Sequence, residues 1–95
     1  MSTRQIDLNG LEYIAATVTA DEVLDTQPVT LSFDGGTTWV ASSWEGTAAA
    51  TRTVRTNSVV NAATVFTTRG VYKLKARIVS GSESIVIPCG AIKVV

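Results

Sequence analysis

The chain has 95 residues, 45% hydrophobic and 17% charged, which gives room for one folded domain spanning residues 1–95. It has no histidine, which excludes a Ser-His-Asp triad, a Cys-His pair and a His-ligated metal, and its single cysteine closes neither an intrachain disulfide nor a zinc cluster. Eight basic and eight acidic side chains give a formal net charge of zero, which argues against a polyanion as the main partner.

Fourteen Thr and thirteen Val, stiff at χ1 and suited to a pleated surface, predict an all-β chain. Ile6 and Leu8 alternate across a short first strand that Asn9 and Gly10 close. Residues 11–19 follow as a second strand with Ile14, Ala16 and Val18 on one face, and Asp21, Glu22 and residues 25–28 form a polar loop. Pro28 lacks an N–H, so the next strand starts after it. There Val29, Leu31 and Phe33 alternate with Thr30 and Ser32. Asp34, Gly35 and Gly36 turn the chain, and residues 39–44 return, ended by Glu45 and Gly46.

Ala48, Ala49 and Ala50 are the best helical stretch, but Thr47, Thr51 and Thr53 surround them, and residues 51–55 read as a strand. Residues 57–68 follow no clear period. The clearest segment is 71–79: Tyr72, Leu74, Ala76 and Ile78 fall on one face, Lys73, Lys75 and Arg77 on the other. After a turn at residues 80–83, residues 85–87 and 91–95 form the last strand. Pro88, Cys89 and Gly90 interrupt it, which points to an edge or a bulge. About seven short strands with turn signals every 8–12 residues are the pattern of a β-sandwich.

Two stretches resemble an immunoglobulin-like domain of the bacterial and phage type. Residues 29–39, VTLSFDGGTTW, resemble the third strand of such domains with its hairpin. Residues 70–78, GVYKLKARI, resemble their sixth strand. The resemblance implies that Tyr72 is a tyrosine corner, its hydroxyl bonded to upstream backbone. It also implies a sandwich without the antibody disulfide. The Thr-, Ala- and Val-rich style with its Asp-Gly-Gly-Thr-Thr-Trp hairpin is similar to small actinobacterial-phage proteins of the head and neck region.

The N-terminus has no apolar stretch of a signal peptide, and no run approaches the ~20 apolar residues of a membrane span. The chain is therefore expected to be made and kept in a host bacterial cytoplasm, with no membrane partner. Its ends are expected to be tied into strands or onto neighbours. The resemblance implies a non-enzymatic structural virion protein of a tailed bacteriophage. It would be present in many symmetric copies, as a capsid decoration protein or a head–tail connector component of the neck. The partners would be major capsid or connector proteins and copies of itself. The alternative is a carbohydrate or cell-surface adhesion module of a phage tail or bacterial surface protein.

The charges divide by position. Residues 1–50 carry one basic against seven acidic side chains, net −6, and residues 51–95 seven basic against one acidic, net +6. An acidic and a basic face would let copies meet head to tail; local pairing of interleaved strands is the bland reading, at about 0–1 kcal/mol per surface pair. The like charges of Lys73, Lys75 and Arg77 repel one another and favour a partner. Arg52, Arg55 and Arg69 could join them on phosphates, but no aromatic interleaves with them in the sequence, so no specific nucleic-acid partner is expected. Trp39 and Trp44, five apart, point to opposite faces, one to the core and one outward as an anchor for a partner or a sugar ring; burial of both at the ends of the sandwich is the bland reading. Asp34 reads as a turn former and not a Ca²⁺ ligand. Cys89 reads as a small buried hydrophobe. No catalytic residue, cofactor or metal is expected.

Overall fold

Residues 3–66 and 68–95 are described by a computed structural model, and they form an all-β chain. In order these are β1 (Thr3–Ile6), β2 (Leu11–Glu12), β3 (Ala15–Leu24), β4 (Val29–Ser32), β5 (Val40–Glu45), β6 (Ala49–Thr56), β7 (Val60–Asn61), α1 (Ala62–Val65), β8 (Gly70–Ser80) and β9 (Glu83–Val94). Seven strands make one mixed sheet in the order β1-β9-β8-β4-β5-β6-β3. β1 runs parallel to β9, and every other pair is antiparallel. β2 and β7 form a separate two-stranded sheet. β3 also packs against β9 without pairing with it, so the sheet curls and closes over one core.

Period-two burial builds that core. Leu74, Ala76 and Ile78 of β8 are buried together with Val29, Leu31 and Phe33, and Ile14, Ala16 and Val18 face them from the other end of the sheet order. Each large side chain so placed contributes about 1.5–3 kcal/mol relative to exposure. The strand that starts after Pro28 and the glycine hairpin follow the sequence reading; Gly35 and Gly36 have φ of 81° and 101°, values that an L side chain rarely adopts.

Four expectations need correction. The strand expected over residues 11–19 is divided, because Leu11 and Glu12 pair with β7 while the chain from Ala15 pairs with β6. Ile14 bridges the break: its N–H donates to Thr56 Oγ1 (3.1 Å) and its carbonyl accepts from the Thr56 N–H (2.9 Å). Asp21 and Glu22, expected in a loop, lie on β3. Thr19 pairs with Thr51 and Leu24 with Ala49, and the surplus residues bulge from the ladder. The bulge expected at residues 88–90 is present, but the last strand is continuous through it: Lys73 pairs with Ala91 and Lys75 with Pro88, so one extra residue is absorbed where Gly90 has φ 114°. The strand expected over residues 51–55 begins earlier, at Ala49, which pairs with Leu24, and a helical turn occurs at α1, where Asn61 Oδ1 accepts from the Ala63 N–H (3.1 Å).

The connection between β7 and β8 packs by its aromatic rings. Phe66 is buried, 5.9 Å from Phe33 and 4.6 Å from Tyr72 between ring centroids. The Tyr72 hydroxyl donates to the Thr68 carbonyl at 2.7 Å, the upstream backbone bond expected of this residue. Part of residues 57–68 falls on Thr67, outside the described residues. At the chain ends, the Val95 N–H donates to the Ile6 carbonyl and the Leu8 N–H to the Val95 carbonyl, both at 2.9 Å. Met1 and Ser2, included in the expectation of tethered ends, lie outside the described residues. No helix among the described residues is long and apolar enough to cross a membrane.

Tyr72→Phe keeps the ring contacts and removes the hydroxyl's hydrogen bonds to the carbonyl and the side chain of Thr68. It is expected to lower stability by about 1 kcal/mol in urea unfolding; an unchanged midpoint would contradict the role given to this hydroxyl.

Candidate functional site

The outer face of β8 carries three basic side chains at alternate positions. With Leu74, Ala76 and Ile78 turned inward, Lys73, Lys75 and Arg77 must turn outward. Lys73 is exposed; Lys75 and Arg77 are half-buried. Their backbone positions are two residues apart along a strand, about 7 Å; charges held at that spacing would repel by about 0.6 kcal/mol per adjacent pair at the dielectric of water. An acidic partner would relieve that repulsion.

The surroundings of these cations are carbonyls and rings. The Arg77 guanidinium carbon lies 4.4 Å from the centroid of Trp39, and Lys75 Nζ is 3.5 Å from the Gly35 carbonyl. Arg77 is in register with Thr30 on β4 and Val86 on β9. Thr30 Oγ1 is buried without a hydrogen-bond partner among the described residues. Trp39 lies one residue before β5, half-buried beside the glycine turn; a Cβ on Gly36 would be 3.6 Å from its Cζ2. A second pair repeats the arrangement, with Arg55 of β6 4.4 Å from the ring centroid of Tyr13. The expectation that no aromatic interleaves with the basic residues is therefore corrected. Trp39 and Tyr13 are distant from them in sequence, and sheet pairing brings them together.

The two tryptophans point to opposite sides, as their spacing requires. Trp44 packs against the core, and its indole N–H donates to the Gln27 carbonyl at 2.9 Å. Its place is structural, so Trp39 is the tryptophan associated with the basic face. Arg52, weighed above as a phosphate contact, is corrected too. Its guanidinium donates to the carbonyls of Leu24 (2.9 Å), Asp25 (2.8 Å), Glu45 (3.1 Å) and Gly46 (2.8 Å). It thereby ties the end of β3 to the β5–β6 turn. No motif announces this; Arg52 would have been separable only by its inward parity with Val54.

Asp34 sits at the hairpin before Trp39. Its Oδ1 accepts from the Thr38 N–H (2.9 Å), the Thr37 N–H (3.1 Å) and the Ser32 hydroxyl (2.8 Å). These bonds, the Thr38 amide foremost, hold its pKa down at about 2 against an ordinary 3.8. Cys89 is buried in the β9 bulge, and burial pushes its thiol up to about 11, so at neutral pH it is a protonated apolar group. On the far side of the β8–β9 hairpin, a groove of about 610 Å³ opens between β3 and β9.

No protein-family model, no curated protein and no solved structure matches this chain.

Because the folded pKa of Asp34 is depressed, its contribution to stability is present above pH about 4 and is lost as the pH falls through about 2. Asp34→Asn keeps the acceptor oxygen and removes the charge. The stability difference between wild type and Asp34→Asn, followed by thermal unfolding from pH 5 to pH 2, is expected to shrink towards the acid end. A constant difference would contradict the assignment.

Proposed function

We propose that this chain is a non-enzymatic packing module: an immunoglobulin-like unit that occupies many equivalent positions in the particle of a tailed phage, decorating the capsid or seated at the head–tail junction. For the fold, support comes from the neighbours β9-β8-β4 and β6-β3, which correspond to strand sets of that sandwich, and from Tyr72 near the start of β8, bonded back to Thr68. For the function, one observation carries the reading. The outer face of β8 presents Lys73, Lys75 and Arg77 in a row, with Trp39 fixed beneath Arg77, beside exposed Val71 and Val86. Such a face joins a central aromatic anchor to apolar area and a single sign of charge, which suits an acidic protein surface.

A chemical role has less support. The Cys89 thiol is protonated and buried, and the Asp34 carboxylate is engaged by its own turn. For the adhesion reading, one face of Trp39 is covered by Arg77, and the Trp44 indole N–H is bonded to Gln27. That leaves less aromatic surface for a sugar ring than two free tryptophans would.

The test is binding of the purified chain to empty capsids and connector rings of the phage that encodes it. Wild type is expected to bind at a fixed stoichiometry. The variant with Lys73→Glu, Lys75→Glu and Arg77→Glu is expected to bind at least ten-fold more weakly, with its circular dichroism retained. Equal binding by a folded triple variant would remove the basic face from the account. Glycan binding by wild type, lost on Trp39→Ala, would replace the assembly role by adhesion.

A further inference from the structure

The β8–β9 hairpin has a second working side. Its inward isoleucines, Ile78, Ile85 and Ile87, continue past the closed core and floor the groove, whose other wall is the bulged part of β3. Ile85 is in register with the buried Ile78, yet it is 38% exposed. A core position there is only partly covered. The sheet leaves it open because β1 pairs with β9 only from Ala91 to Val94, and β3 pairs with β6 alone. Asp21 and Glu22 from β3 and Glu83 from the hairpin rim this apolar floor. An apolar floor with a carboxylate rim fits a surface that is itself apolar and basic.

The chain carries such a surface. On the outer side of the same hairpin, Lys73, Lys75 and Arg77 are flanked by Val71 (65% exposed), Val86 (47%) and Val79 (37%). Groove and basic face lie on opposite sides of one hairpin, so a single copy cannot bring its own two patches together. Only a second copy can bring the two together. Asp21 and Glu22 come from the half of net −6 and the three cations from the half of net +6, while Glu83 is the one acidic residue of the basic half.

We infer that the groove between β3 and β9 receives the basic outer face of the β8–β9 hairpin of a second copy, so that copies join head to tail. The contact is heterologous. Each pair leaves one groove and one basic face free, and further copies add until a ring closes or a filament grows. The inference rests on the assembly role proposed above and names the chain itself as the partner of its basic face.

The experiment is sedimentation of the full chain over a range of concentrations and salt. Wild type is expected to associate, and the association is expected to weaken as salt screens the rim. One variant reverses the groove by Asp21→Lys, Glu22→Lys and Glu83→Lys. The other reverses the face by Lys73→Glu, Lys75→Glu and Arg77→Glu. Each alone is expected to self-associate at least ten-fold more weakly. Mixed, they are expected to associate again, because reversed groove then meets reversed face and native groove meets native face. A wild type that stays monomeric, or two folded variants that do not associate on mixing, overturns the head-to-tail contact. If that wild type still binds capsids or connectors, the assembly role stands without self-association; if it binds neither, both proposals fall.

Discussion

Strict alternation along β8 is the constraint on which the rest of the fold depends. β8 lies inside the sheet, with β9 on one edge and β4 on the other, so its register is fixed from both sides. Leu74, Ala76 and Ile78 reach the core only in that register. A slip of one residue would place Lys73, Lys75 and Arg77 in the interior, where unpaired charge is prohibitive. The same rule therefore fills the core and aligns three cations outside it. Core and basic face are two consequences of one pattern, and the outer face can be altered without touching the apolar residues that hold the fold.

The remaining strands are arranged so that this pattern can be long. β9 follows β8 along its length because the bulge at Cys89 and Gly90 absorbs one residue, after which β9 also accepts β1 in parallel. Closure over the core is by packing of β3 on β9, not by pairing, and this leaves the groove. At the far end Arg52 holds the turns through four carbonyls, with its guanidinium carbon 5.8 Å from the Trp44 ring centroid. Arg55 and Arg77 lie on rings instead. The zero net charge thus describes a chain in which Arg52, Arg55 and Arg77 lie on backbone oxygens or aromatic rings, while Asp21, Glu22 and Glu83 line the groove.

Where one face of a strand is buried, the sequence was readable. In residues 29–33 and 71–79 the positions expected in the core, Val29, Leu31, Phe33, Leu74, Ala76 and Ile78, are buried, although Ser32 of the other parity is buried too and Phe33 lies just past β4. Tyr72 was legible through the resemblance, and the opposite orientation of Trp39 and Trp44 through their spacing. Legibility failed where a residue's state depends on a distant partner. Asp21 and Glu22 look like loop because the bulge exposes them, although Leu24 beyond them is buried and paired. Leu11 and Glu12 leave the expected strand for a two-residue partner that has no period of its own. Arg52 and Arg77 are both isolated basic residues in strands; parity and sheet order alone separate a backbone clamp from a surface cation. The groove is legible in no segment, because its walls are more than fifty residues apart and its floor consists of isoleucines that read as core.

The central claim is that one copy's basic face meets another copy's acidic groove. Its most direct measurement is zero-length carbodiimide cross-linking of an equal mixture of isotope-labelled and unlabelled chains, read by mass spectrometry. The account predicts mixed-isotope peptides that join Lys73 or Lys75 to Asp21, Glu22 or Glu83, and their loss at high salt. Cross-links between these residues found only within single chains, or intermolecular links that never involve the groove carboxylates, would contradict it.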